Sequence, residues 1–133
     1  MTVGSFTSVS LNPPLVAFFP DKSSSSFPQI REAGHFMVNV LAAEQQHVCR
    51  VFASRSTDRF ETVQWTPSMA TGAPVIDGCL AWIECTIEAI NEAGDHYIVI
   101  GRVLDLRAGR DRAPLVFHRG GYGGFHVPSS ATA

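Results

Sequence analysis

The chain has 133 residues, 45% of them apolar and only 17% charged, with a formal net charge of -2 at pH 7. That length suits one domain, able to bury roughly two thirds of its unfolded surface. Its ten basic residues are scattered and form no track for a phosphate backbone, which argues against a nucleic-acid role. No apolar run approaches the roughly 20 residues that cross a bilayer, and no signal peptide opens the chain, so a cytoplasmic protein away from membranes is expected. Cys49, Cys79 and Cys85 fit neither a disulfide framework nor a four-thiolate metal site and read as small buried hydrophobes. So sparingly charged a domain suits one that hides surface in a partner.

Thr2 to Phe19 reads as two strands joined at Asn12, Pro13 and Pro14, because β-branched and aromatic residues dominate and the prolines punctuate the middle. Hydroxyls at Thr2, Ser5, Thr7, Ser8 and Ser10 line the first half. Spacing leaves open whether they form an ordinary sheet face or a cofactor wall. Pro20 to Ser26 is loop by composition. Phe27 to Ala33 reads as a short helix, with Ser26 as N-cap, Pro28 in the first turn and Gly34 at its end. His35 to Leu41 is a third strand; Asn39 within it either bonds to neighbouring backbone or marks where the sheet meets a ligand.

Glu44 to Ser54 has the best helical pattern, with Val48, Val51 and Phe52 on one face and Arg50 outward. From Arg55 to Val75 the pattern is weak: Phe60, Val63 and Trp65 suggest a short segment, and Pro67, Gly72 and Pro74 deny a long one. Cys79 to Ala93 alternates Ala81, Ile83, Cys85, Ile87 and Ala89 against Trp82, Glu84, Thr86 and Glu88. A turn within Glu92 to Asp95 joins it to His96 to Leu106 as a long hairpin, with Gly101 at a bulge or barrel corner. Arg107 to Ala113 is an exposed charged loop, Pro114 to His118 a last short strand, and the chain frays from Pro128. The glycines at 120, 121, 123 and 124 lack the spacing of a phosphate loop. These elements imply a mainly β fold, an antiparallel barrel with peripheral helices. Regular strand–helix alternation is missing, so a nicotinamide cofactor would bind otherwise than on a dinucleotide-binding parallel sheet.

His96 and His118 have no serine or cysteine that the sequence pairs with them, so no hydrolase triad is expected. The five histidines, at 35, 47, 96, 118 and 126, lack ligand spacing, so no metal is expected either.

The runs TVGSFTSVSLNPPLV (2–16), SFPQIREAGHFMVNVLAAEQQ (26–46), the Phe-Ala pair at 52 and 53, GDHYIVIGRV (94–103) and PLVFHRGGY (114–122) together resemble the flavin reductase-like family. That family has the FMN-binding split-barrel fold and includes the small reductase components of two-component flavin monooxygenases. The resemblance covers nearly the whole chain and implies one domain over 1–133, an antiparallel split barrel lacking the helix and first strand with which the family's domain opens. Gly4 departs from the family's usual serine, which removes one hydroxyl contact.

By resemblance, Thr2, Val3 and Ser5 lie beside the isoalloxazine, and Ala17, Phe18 and Phe19 continue that wall toward the ribityl chain. Ser23 and Ser24, with Lys22 nearby, receive the phosphate, and Arg50 and Ala53 meet the flavin's distal part. His118, Arg119 and Tyr122 match the motif beside the nicotinamide, and His96 is a further candidate there. The implied reaction passes hydride from NADH or NADPH to N5 of FMN or FAD by placement, so no catalytic side chain is expected. The family also implies a homodimer with flavin at or near the contact, and a flavin-dependent monooxygenase as partner. The alternative is a non-reductase flavin- or haem-binding split-barrel protein for storage or sensing.

Overall fold

In the computed structural model, which describes residues 1–129, the chain opens with β1 (Phe6–Leu11), β2 (Pro14–Phe18), α1 (Phe27–Ala33) and β3 (His35–Val40). A 3-10 turn at Ala43–Gln45 leads into α2 (Gln46–Ala53), followed by short strands β4 (Trp65–Pro67) and β5 (Pro74–Ile76). The long strands β6 (Ala81–Ala93) and β7 (His96–Ala108) come next, then β8 (Val116–His118) and β9 (Gly121–Gly123). Five strands pair antiparallel in the order β1-β2-β7-β6-β3, and β4–β5 and β8–β9 form separate two-stranded sheets. The fold is mainly antiparallel β, as the sequence implies. Edge strands β1 and β3 do not pair with each other, so the main sheet is open rather than a hydrogen-bonded closed barrel.

The core explains why these elements hold. Val16, Phe18, Phe27, Phe36, Cys85 and Val99 form one buried cluster, in which the Phe18 ring meets Phe36 edge-on at 4.9 Å. A second cluster, Val48, Val63, Ile76 and Cys79, sits under α2 with Leu41, Val51, Phe52 and Trp82 against it. Strands β6 and β7 carry two bulges that cancel. Glu84 faces Asp105 but Cys85 faces Val103, leaving Leu104 extra on β7; Ile87 faces Gly101 but Ala89 faces Ile100, leaving Glu88 extra on β6. Glu84 and Cys85 are both buried although they point to opposite faces of β6: Cys85 lies in the main core, and Glu84 is covered by Ser68 and Thr71 of the 68–73 loop. Gly101 sits at the second bulge, and a Cβ there would stand 2.5 Å from Phe36 Cζ.

Several local expectations change. Ser26 makes no side-chain cap; Ser24 Oγ accepts instead from the backbone N–H groups of Ser26 and Phe27, each at 3.3 Å. Gly34 does end α1, at φ 74°. The helix expected over 44–54 divides into the 3-10 turn and α2 because Gln45 is buried at the junction: its Oε1 accepts from Ala42 N–H at 2.9 Å and its Nε2 donates to Asp77 O at 2.7 Å. Asn39 bonds to backbone, donating to Pro74 O at 3.1 Å and accepting from Ile76 N–H at 2.8 Å. β8 falls within the short strand expected over 114–118, but its partner β9 and the β4–β5 hairpin escape the sequence because three-residue strands are too short to show a period. The fraying expected from Pro128 falls largely outside the described residues.

Candidate functional site

Helix α2 joins distant parts of the chain. Val48 and Cys49 are buried on its inner face, which sets the orientation of its last turns. Thr2 Oγ1 donates to the Cys49 carbonyl at 3.1 Å, and Tyr122 OH donates to Cys49 Sγ at 3.5 Å. The Arg50 guanidinium lies 5.4 Å from the centre of the Tyr122 ring. At the other end, the carbonyl of Ser54 accepts from Arg59 Nη2 at 2.8 Å, while Arg59 Nη1 donates to Ser26 Oγ at 2.6 Å. Cys49 and Ser54 are five residues apart, about 7.5 Å along a helix axis. The hydroxyl-rich opening, the C-terminal hairpin and the serine loop are thus tied to one short helix.

The segment that delivers Arg59 has its own anchor. Phe60 packs edge-on against Phe52 of α2 at 5.0 Å and against Trp65 at 5.2 Å, and Val63 is buried. No periodicity or turn motif marks this segment, so Arg59 and its contact with Ser26 were not legible in the sequence.

Within the serine loop the side chains divide into two groups. Asp21 Oδ1 accepts from the Ser23 N–H at 2.7 Å and the Ser23 hydroxyl at 2.6 Å. His96 Nε2 lies 3.9 Å from Asp21 Oδ2, and its Nδ1 is 2.7 Å from Asp95 Oδ1. The Ser23 hydroxyl, then its N–H, with the nearby His96, hold the Asp21 carboxyl below the usual range despite some desolvation. Lys22 Nζ pairs with Glu92 Oε1 at 3.2 Å and lies 5.4 Å from the Tyr97 ring centre. Lys22, Ser23 and His96 therefore belong to one exposed network beside the β6–β7 turn, whose Asp21, Asp95 and His96 ligand atoms lie within 4.8 Å of one another. Ser24 and Ser26 face α1 and Arg59 instead.

The remaining expected residues are distributed as follows. Val3 packs on the main core, and Ser5 is exposed just before β1. Ala17 and Phe18 are buried within β2, Phe19 is half-buried after it, and Ala53 is exposed at the end of α2. His118 and Arg119 are exposed at the β8–β9 turn, where Arg119 takes φ 49°. An open depression of about 380 Å³ lies between Tyr122 and the 43–46 segment, and another of about 410 Å³ is lined by Phe117, His118 and Tyr122. Thr2, Ser5 and the serine loop line neither. No hydrogen bond or ion pair joins His96 to His118, Arg119 or Tyr122 among the described residues.

Residues 1–126 match the family model described as the flavin reductase like domain. The chain belongs to the flavin reductase family. It is 55% identical over 125 residues to a flavin reductase from Pseudomonas putida, covering 94% of this chain and 73% of that protein. It is 44% identical over 129 residues to the reductase subunit of a flavin-dependent monooxygenase from Rhodococcus jostii, covering 97% of this chain and 66% of the relative. An NADH:FAD oxidoreductase from Streptomyces globisporus, solved with NAD and FAD fragments, superimposes with a TM-score of 0.90 at 38% identity, over 98% of this chain and 78% of that one. Thr2 and the serine loop both lie within the residues matched to this flavin reductase domain.

Proposed function

We propose that this chain reduces FMN or FAD with NADH or NADPH, as the reductase component of a two-component flavin monooxygenase system. The observation that carries the reading is the attachment of both Thr2 and the serine loop to α2, in a chain whose residues 1–126 match the flavin reductase domain. The donors suit a phosphorylated, hydroxyl-rich ligand: side-chain hydroxyls at Ser5, Ser24 and Ser26, and a guanidinium at Arg59 with no carboxylate bonded to it among the described residues.

The flavin, when bound, supplies the redox chemistry by taking a hydride from nicotinamide C4 at its N5. The protein supplies placement. Backbone groups of Thr2, Val3 and Ser5 serve the polar edge of the ring, where N–H donors stabilise negative charge. Ala17, Phe18 and Phe19 continue the wall, Arg50 and Ala53 serve the distal part, and His118, Arg119 and Tyr122 orient the nicotinamide and exclude water. No side chain has to act as nucleophile.

A homodimer is part of the proposal. Leu11 at 91%, Leu106 at 62%, Phe117 at 64% and Phe125 at 65% exposure leave large apolar groups bare on edge strand β1, near the end of β7, on β8 and just after β9, and a second copy is the natural cover. No helix among the described residues is long and apolar enough to cross a membrane. A cytoplasmic setting fits the need for reduced nicotinamide and the three buried free thiols.

The test is the near-UV absorbance of NADH or NADPH in the presence of protein and excess FMN or FAD. Flavin-dependent loss of that absorbance is expected. Tight flavin binding without nicotinamide consumption would replace the reductase with a storage or sensing protein.

A further inference from the structure

We infer that Glu44 reads the adenosine ribose of the nicotinamide coenzyme and makes this chain select NADH over NADPH. This rests on the flavin reductase reading and names the coenzyme that the same site takes.

The two depressions on the C-terminal hairpin adjoin, because Tyr122, Gly123 and Gly124 line both. At about 380 and 410 Å³, each falls within the about 300–1,000 Å³ of small-ligand sites, so together they suit a molecule built of two nucleotide halves. A Cβ on Gly123 or Gly124 would meet nothing within 4 Å, which leaves the shared floor open to a ligand lying across it. One depression holds Phe117 and His118, where the reductase reading puts the nicotinamide. The other half of the coenzyme then falls across Tyr122, beside Glu44.

Charge decides what that half can be. Glu44 is the one carboxylate lining either depression among the described residues, and no Lys or Arg lines them. Arg112 bonds to Glu44, Arg50 lies over the Tyr122 ring and Arg119 stands at the β8–β9 turn, but none of the three belongs to the lining. The Glu44 backbone N–H, then Arg112, hold this carboxyl below the usual range despite some desolvation. A carboxylate has about four acceptor sites, so acceptors remain after those two bonds. A ribose 2′,3′-diol donates to them, whereas a 2′-phosphate brings about two negative charges against Glu44 with no cation in the lining to receive them. A carboxylate for the diol and an arginine for the phosphate is the same choice that separates NAD from NADP sites on dinucleotide-binding sheets.

The placement is fixed by backbone. Glu44 sits in the 3-10 turn, which is tied to the segment entering β8 by the Ala42–Pro114 bridge and by Ala43 N–H donating to Ala113 O at 2.8 Å. Tyr122 is held to α2, directly after that turn, through Cys49 at 3.5 Å.

Steady-state kinetics of the full chain with excess FMN, and with NADH and NADPH in turn, test the assignment in the wild type, Glu44→Gln and Arg112→Gln. The wild-type KM for NADPH is expected to exceed that for NADH at least about tenfold. Glu44→Gln should lower the NADPH-to-NADH ratio of KM at least about fivefold, whereas a merely loosened fold would move both values together and keep the ratio. Arg112→Gln, which leaves the Glu44 charge uncompensated, should raise the ratio. In the wild type, which needs no variant to fold, adenosine 2′,5′-bisphosphate should compete with NADH at least about tenfold more weakly than 5′-AMP. A wild type that uses both coenzymes equally, or a ratio unchanged in Glu44→Gln, would overturn the assignment while flavin reduction stands. A lower ratio in Arg112→Gln would overturn it too. A wild type that oxidises neither coenzyme with FMN or FAD present would remove the reductase reading, and the role of Glu44 with it.

Discussion

Glu84 is the buried charge on which the 68–73 loop depends. It is 4% exposed in β6, and its Oε1 accepts from the Ser68 hydroxyl, from the Thr71 N–H at 3.1 Å and from the Thr71 hydroxyl at 2.6 Å. Burial pushes this carboxyl up, but the hydrogen bonds from Ser68 and Thr71, helped by Arg107, outweigh it and hold the group below the usual carboxylate range. Glu84→Ala strands three donors at one atom. Each buried donor left unmet costs about 1–3 kcal/mol, and since loop relaxation lets water reach some of them, a total of about 3 kcal/mol is expected. At this chain length, that is a fall in Tm of about 9–15 °C. Glu84→Gln keeps an oxygen where all three bonds converge and loses only their charge assistance, about 1 kcal/mol.

The pH dependence has a definite sign. A carboxyl whose folded pKa lies below its unfolded value near about 4.3 contributes stability that is complete above that value and disappears as pH falls through the folded pKa. The gap between wild type and Glu84→Gln in urea melts should therefore be constant from about pH 7 to 5 and close below about pH 4. Glu84→Ala within about 0.5 kcal/mol of wild type, or a gap that does not close in acid, would refute the latch.

Gly101→Ala should cost about 1–3 kcal/mol in urea unfolding, since the added carbon would meet Phe36 Cζ at 2.5 Å and Cys85 Cβ at 3.1 Å in the core; a neutral result would mean the Phe36 ring swings aside freely. Asn39→Ala should cost about 2 kcal/mol by freeing the Pro74 carbonyl and Ile76 N–H, and leave the KM for flavin unchanged; a changed KM with intact stability would restore Asn39 as a ligand contact. Burial pushes the Cys79 and Cys85 thiols up to about 11 and about 12, so iodoacetamide at about pH 8 should label neither until the protein unfolds, as read by mass spectrometry. Rapid native labelling at Cys85 would contradict the packing around β6.

Long elements with a clear period were legible in the chain. The β6–β7 hairpin, β1 and β2 around their prolines, and α1 up to Gly34 follow from alternation, turn residues and glycine at a left-handed cap, all set by neighbours in sequence. The family resemblance was equally visible, because its motifs lie in continuous runs that need no tertiary contact to recognise. What the sequence could not rank was its polar side chains. Ser23, Ser24 and Ser26 sit in one run of serines, and only the folded chain sets Ser23 against Asp21, Ser24 under the first amides of α1, and Ser26 against Arg59 from 33 residues away. Hydrogen bonds between distant residues leave no periodic trace, since each needs only a donor and an acceptor brought together by packing elsewhere. The two compensating bulges belong to the same class: residue order announces two long strands, but which residue is left unpaired depends on the Phe36 ring over Gly101 and on Glu84 beneath the 68–73 loop.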